Sequence, residues 1–513
     1  MRVFVFAIGG TGARVLSAII MQLAAGVAPK DPSGAPIADL SIVPILLDPH
    51  ETNDAVQQTK QVLESYRTMR NKIYGTRTPP PGEFFSVKVE TLKDISQDQG
   101  NATEDVFYFK LQRVSDSKFS NFIGLSAMSR ENKLFSQMLF SPGELNTEMH
   151  IGFTGSPNIG SIALGEFKKS DVYNTFCSAY REGDKLFFIG SVFGGTGAAG
   201  LPHFITSIRD LNHVENKDTG KTNCSKAAIG ALIVMPYFNI KYDENSTVNS
   251  TEFSIKTRSA LRYYSKNLNA YIHSIYYIDD PQRTADFIND PGENEQNGNK
   301  AHMVEFAGAQ ALFHFIASTN TEVKEVANKK DESESKRLEV KQTEYLRFLF
   351  PGCEKIDFRT IGENDNAPYL FPMMKFYLLQ HFMQHHLADL LDKPFAKKYT
   401  PRIESNLMLG ELKIIFNVFN RMMNEMQSHG SGAHNLQLFL PPHEDDYSNA
   451  FVGIKTRKAF IGSKRISVRT IQQALDTAAQ KHTDLTSPAA RWFAIANEAL
   501  EEILHDNYDF STL

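Results

Sequence analysis

The chain is poor in the residues that would assign it to several common classes. Its three cysteines, Cys177, Cys224 and Cys353, are scattered through 513 residues and form no CxxC pair. That spacing offers neither a disulfide framework nor a zinc site, and a reducing compartment is the default expectation. Positive charge is not in excess: 54 Lys and Arg stand against 59 Asp and Glu, a formal net charge of −5. Nucleic-acid binders usually carry a concentrated basic surface, so nucleic acid is not expected as a partner. No segment approaches the roughly 18 uninterrupted apolar residues of a membrane helix, so no membrane is expected either. The N-terminus pairs Arg2 with an apolar run, as a signal peptide does, but the run breaks at Gly9-Gly10 and gives way to an amphipathic stretch containing Arg14 and Gln22. A buried strand entering a tight loop fits that pattern, and a cytoplasmic protein is expected.

The rest of the composition, 42% hydrophobic and 22% charged, is that of a globular chain. Its length points to about three domains or two large ones. Residues 3–8 read as a strand, Gly9-Gly10-Thr11-Gly12 as a turn and 13–25 as a helix. A second apolar run, 40–47, ends at Asp48. Continuous apolar runs of this kind are strands of a parallel sheet buried on both faces. Between 51 and 149 the pattern loosens into a helical stretch at 55–73, the turn-rich Thr78-Pro79-Pro80-Pro81-Gly82 and mixed segments, an insertion decorating the sheet. Order returns with 151–165, a helix at 171–181 and a strand at 185–189 that runs into Gly190-Ser191-Val192-Phe193-Gly194-Gly195-Thr196-Gly197.

Further strands are expected at 227–235 and 272–278, a helix at 252–268 and a buried helix at 301–317. The charged run 324–341 reads as a solvated helix or linker, and 345–350 with 355–361 as a hairpin across Pro351-Gly352. From 372 onwards the pattern is mainly helical, with amphipathic stretches at 412–426 and 466–503 that pack on each other or on a partner protein. His381, His385 and His386 recur at helical spacing without accompanying carboxylates, so a surface or core role is expected of them, and a core role of the lone Trp492.

A phosphate chain is held by converging backbone N–H groups, and glycine lets the backbone come close and adopt positive φ. A strand-to-helix junction adds a helix N-terminus, whose orphan N–H groups and dipole favour an anion by roughly 0.3–1 kcal/mol. Either GGTG loop alone reads equally well as a tight turn. Two nearly identical loops after buried strands point to phosphate. The first loop also offers a partial dinucleotide fingerprint, with Gly10 and Gly12 and with Asp48 where a ribose-binding acid belongs. Val15, however, occupies its third glycine position, and the second loop is left unexplained.

The residues Phe193-Gly194-Gly195-Thr196-Gly197-Ala198-Ala199-Gly200 resemble the GGGTGSG-type loop of the tubulin/FtsZ family. The preceding Thr154-Gly155-Ser156-Pro157-Asn158-Ile159-Gly160 is similar to that family's Gly-x-N-P-x-x-G loop, and Val234-Met235-Pro236-Tyr237-Phe238 to its strand ending in Pro-Phe. With Ile278-Asp279-Asp280-Pro281 and the helix beginning near Asn299, the resemblance covers about 1–320 in order. It is closest to the divergent bacterial tubulin-like proteins.

The resemblance implies an α/β fold: a parallel-sheet nucleotide-binding domain at 1–320, a linker and possible hairpin at 321–371, and a mainly helical C-terminal domain at 372–513. It places Gly9, Gly10, Thr11 and Gly12 at the phosphates, Gly155, Ser156 and Asn158 near the terminal phosphate, and Gly194, Gly195, Thr196 and Gly197 around the α/β phosphates. Asp48 falls where a loop approaches the phosphates and Mg2+, and it reads equally as a turn residue before Pro49. Asn299, His302 and Glu305 share a helix face, and a carboxylate or amide there can accept from guanine, so Glu305 or Asn299 is the candidate for selecting GTP. Hydrolysis in that family uses an acidic NxDxxD/E loop contributed by the next subunit. The corresponding segment here offers Asp357, Glu363 and Asp365 without that spacing, and an ordinary turn role suits them better. The function implied is GTP/GDP binding with Mg2+ that controls head-to-tail self-association. A non-polymerising switch or scaffold, and a Rossmann-type oxidoreductase, are the alternatives.

Overall fold

The computed structural model describes residues 1–50, 53–96, 108–109, 118–149, 153, 156–210, 224–240, 250–279, 285–287, 303–327, 336–348, 367–386, 406–428, 438–442, 446–452, 454, 456–457, 465–485 and 487–510. Its centre is a parallel sheet. β1 (Arg2–Ile8), β2 (Ser41–Leu47), β5 (Lys185–Ser191) and β6 (Ala228–Val234) are apolar on both faces and buried along almost their whole length. β3 (Lys88–Val89), β4 (Tyr108–Phe109), β7 (Ser274–Ile278) and β8 (Glu344–Phe348) complete it. The order is β8-β7-β6-β5-β1-β2-β3, with β4 also on β2, and every pairing is parallel. Pro44 sits in β2 opposite Val5, in the gap between Ser41 and Ile42, which pair with β3, and Leu46 and Leu47, which pair with β4. Proline has no N–H to give a ladder, so it is tolerated where one flank of the strand is open.

Helices cover both faces. Phe187 and Phe188 are adjacent on β5 and therefore point to opposite sides. Phe187 meets Phe315 of α7 (Met303–Ala317), while Phe188 stacks on Phe6, which meets Phe176 of α4 (Asp171–Ala179). α1 (Gly9–Ala24) and α2 (Asp54–Tyr74) share the α7 side, and α3 (Pro157–Ala163) packs on α5 (Gly195–Arg209). α6 (Ser250–Asn267) leads towards β7. α7 is apolar nearly all round and buried to match, as a core helix should be.

The C-terminal region consists mainly of helices: α8 (Ala367–His385), α9 (Asn406–Ser428), α10 (Val468–Lys481) and α11 (Pro488–Asn507). α9 lies against α1, α2 and α7, and α11 against α2 and α8. Phe84 and Phe85, in the loop ahead of β3, each meet both Phe376 of α8 and Phe493 of α11, so one apolar core runs through the sheet layers and the C-terminal helices. Phe85 holds a left-handed φ of 58°, a conformation costly for a residue with a Cβ, within that aromatic cluster. Trp492 is buried there as expected.

Two expectations differ, and a third gains a neighbour in the sheet. α2 and the short β3 and β4 are integral to the sheet layers, whereas the sequence reads as a decoration over 51–149. The charged run contains an antiparallel pair, Val323–Ala327 with Lys336–Val340. Residues 345–348 of the expected hairpin arm lie in β8, at the edge of the main sheet among the described residues, while 349–350 and the expected partner 355–361 lie outside them. Among the described residues no helix is long and apolar enough to cross a membrane.

Candidate functional site

From β1 the chain moves outward through β2 and β3, then returns to β5 on the other side of β1 and continues to β8. The strand order therefore reverses between β1 and β5. In open parallel sheets the carboxyl ends of the strands at such a reversal flank a ligand crevice. The two glycine loops are the segments that leave β1 and β5 there.

They touch. Gly9 has φ +74°, and a Cβ on it would lie 3.4 Å from the amide nitrogen of Gly197 and 3.5 Å from Thr196 Cβ. A Cβ on Gly12 would come within 2.8 Å of the Ala7 carbonyl carbon and 3.0 Å of Ile189 O. The left-handed φ at Gly9 and the packing at Gly12 therefore call for glycine by themselves, and the same close approach sets the starts of α1 and α5 side by side. The N-caps of these helices, Ile8 and Gly194, supply no side-chain hydrogen bond, and neither first turn carries an acid. By contrast Asn53 caps α2, Ser170 caps α4, Ser467 caps α10 and Ser487 caps α11. Two helix N-termini without side-chain caps thus converge, and their partial positive charges favour an anion between them.

Around this point, Asp48 is buried at the end of β2, and its Oδ1 accepts from His50 N at 3.0 Å. Asn53 was not singled out by the sequence reading. Its Oδ1 accepts from Ala55 N at 2.9 Å, and its Nδ2 lies 3.4 Å from where a Gly10 Cβ would stand, so an amide faces the first loop. The signal for it was an N-cap residue ahead of a helix. Ser156 is the N-cap of α3 and makes no capping bond. Asn158 donates Nδ2 to Glu144 Oε1 at 2.8 Å. Thr196 is buried at the start of α5. Gly155, Asn299, His302, Asp357, Glu363 and Asp365 lie outside the described residues.

Glu305, in the first turn of α7, is buried against α1. Its Oε1 lies 2.7 Å from Arg14 Nε and accepts from the Tyr237 hydroxyl at 3.4 Å. Arg14 also donates to the Tyr237 oxygen and stands 5.7 Å from the centre of that ring. Burial pushes the Tyr237 phenol up, so it remains a neutral donor. Tyr237 follows Pro236 at the exit of β6, and the three residues tie α1, β6 and α7 together about one turn below the first glycine loop. The sequence points to Glu305 but not to the arginine and tyrosine it meets, because those contacts join distant segments.

No family model matches the chain, and no curated protein does. Among solved structures it is similar to CetZ2 from Haloferax volcanii in a GTPγS-bound protofilament, at 13% identity and a TM-score of 0.27. The match covers 62% of this chain and 58% of that one, less than two thirds of its length. So slight a likeness assigns this chain neither a ligand nor an assembly.

Proposed function

We propose that the chain is a tubulin-like protein that binds a nucleoside triphosphate, GTP, at the meeting of its two GGTG loops. The observation that carries this reading is the contact of Gly9 with Gly197 at the strand-order reversal, which brings together two helix N-termini lacking side-chain caps. Gly10, Thr11 and Gly12 would hold the phosphates from α1, and Gly194, Gly195, Thr196 and Gly197 from α5. Ser156 at the head of α3 stands for the terminal phosphate, together with Gly155 and Asn158. A buried carboxylate suits a magnesium ion beside those phosphates, and Asp48 would supply it. The ion would neutralise phosphate charge, while the residues of the chain orient the phosphates and bury them.

The choice of guanine rests on the family resemblance, with Asn299 and Glu305 as the candidates to read the base. A carboxylate has about four lone-pair sites, so its bond to Arg14 is compatible with that role. Control of head-to-tail self-association by the bound nucleotide is proposed on the same resemblance, and Asp357, Glu363 and Asp365 are the proposed acids for any hydrolysis at the subunit junction. Protein partners are proposed to dock on the C-terminal helices.

The test is binding of fluorescent GTP with ATP and NAD as competitors, to the wild type and to Gly195→Asp, which sets a carboxylate against the phosphates. Saturable binding that GTP competes and the variant lacks is expected. Displacement by NAD alone would overturn the reading. Light scattering with GTP and magnesium then tests self-association, and a species that stays monomeric would remove that part.

A further inference from the structure

We infer that Cys177 and Cys224 are a redox pair that a small peroxide closes into a reversible disulfide. Cys177 lies in α4 and Cys224 just ahead of β6. Their sulfurs are 3.5 Å apart, with the Cys224 thiol donating to Cys177 Sγ, and both residues are buried. A disulfide is about 2.05 Å long, so the two sulfurs need to approach by only about 1.5 Å. The neighbouring Phe176 is anchored between Phe4 and Phe6, and Ser225, next to Cys224, accepts from the buried Arg209 guanidinium at 2.5 Å. Both sides of the pair are thus held in register.

The setting also determines which oxidant can act. The hydrogen bond to Cys177, followed by burial, pushes the Cys224 thiol up, so thiolate is scarce and a small neutral oxidant reaches the pair more readily than a bulky disulfide. Hydrogen peroxide is small and neutral enough to enter through the local openings that folded chains undergo. One sulfur, as thiolate, attacks a peroxide oxygen, the O–O bond breaks, and a sulfenic acid forms with release of water. The second sulfur attacks the sulfenic sulfur and expels its hydroxyl, which leaves as water with the second thiol's proton. Two thiols and one peroxide give one disulfide and two waters, and a dithiol reverses the step.

The closed bridge spans 177 to 224 and therefore encloses β5, the second glycine loop and α5. Closing so long a loop restricts the unfolded chain, and the oxidised form melts at a higher temperature.

The experiment treats the full chain carrying Cys353→Ser, which removes the third thiol, with hydrogen peroxide, and maps the peptides by mass, with the wild type mapped in parallel. Expected are linked Cys177 and Cys224 peptides lacking two hydrogens, no titratable thiol after denaturation, and a raised Tm. All three should revert with dithiothreitol and be absent in Cys177→Ser. Two thiols still titratable, or separate sulfinic acids on either residue, would overturn the inference. None of these readouts depends on a bound nucleotide.

Discussion

Arg14 of α1 and Glu305 of α7 meet with Nε 2.7 Å from Oε1, and Tyr237 is bonded to both. Both side chains are largely buried, at 14% and 6% exposure. Removing one partner of such a pair leaves the other charge without compensation, at a cost of about 3–5 kcal/mol. Glu305→Ala is therefore expected to lower the urea midpoint strongly. Arg14→Met combined with Glu305→Leu should recover much of the loss. A double-variant loss as large as the summed losses of Arg14→Met and Glu305→Leu alone would show that the charges are not coupled.

The first loop separates folding from binding. A Cβ on Gly12 has no room, at 2.8 Å from the Ala7 backbone, so Gly12→Ala is expected to cost about 1–3 kcal/mol through overpacking. A Cβ on Gly10 meets nothing nearer than the Asn53 amide at 3.4 Å, which can yield. Gly10→Ala should change stability by less than about 1 kcal/mol yet weaken GTP binding at least tenfold. Circular dichroism melts and a fluorescence titration on the same two variants check the split, and intact GTP binding in Gly10→Ala would count against the phosphate role.

Acid should destabilise the fold through the buried His273 and the half-buried His203. Burial, with Arg209 adding to it, pushes His273 down to about 3, and burial with Lys168 pushes His203 down to about 4. His273 Nδ1 accepts from Ile229 N at 3.0 Å, so it must stay unprotonated. The unfolded chain takes up protons near the ordinary histidine value of about 6.5, while the native chain does not until well below it. The unfolded state then binds more protons, and stability falls as the pH drops from about 6.5 towards 4, by up to about 1.4 kcal/mol per pH unit for each histidine. Urea midpoints across that range test this, and His273→Asn should flatten the slope.

Lys185, buried on β5, caps the far end of α7. Its ammonium donates to the carbonyls of Phe315, Ile316 and Ser318 at 3.1, 2.8 and 2.7 Å. Lys185→Met strands those acceptors and is expected to cost about 2–3 kcal/mol. A melt within a degree of wild type would refute the cap.

The elements that carry the site were legible because each is long, apolar and punctuated by glycine. β1, β5, β6 and α7 lie within about two residues of where the apolar runs place them. What stayed hidden was the destination of charged residues. Lys185 reads as the polar start of a strand, yet it ends beneath a helix C-terminus. The strands in the charged run read as solvated because charged residues such as Lys324, Glu325, Arg337 and Glu339 are spread along both of them. β8 is legible as a strand, but its parallel place beside β7 is not, because Pro351-Gly352 suggests a hairpin and the partner in the sheet is remote in sequence. Arg14, Tyr237 and Asn53 escaped for another reason: each matters through a contact with a segment remote in sequence, which no local pattern encodes.

The shared core of Phe84, Phe85, Phe376 and Phe493 also determines how the chain comes apart. With α8 and α11 closing over the loop that precedes β3, the C-terminal helices cannot peel away without exposing four phenylalanines to water. Proteases should therefore find no early nick that frees a stable C-terminal fragment. A ligand that steadies the glycine loops should slow cleavage at α11 as much as at α1, because the two ends of the chain open together or not at all.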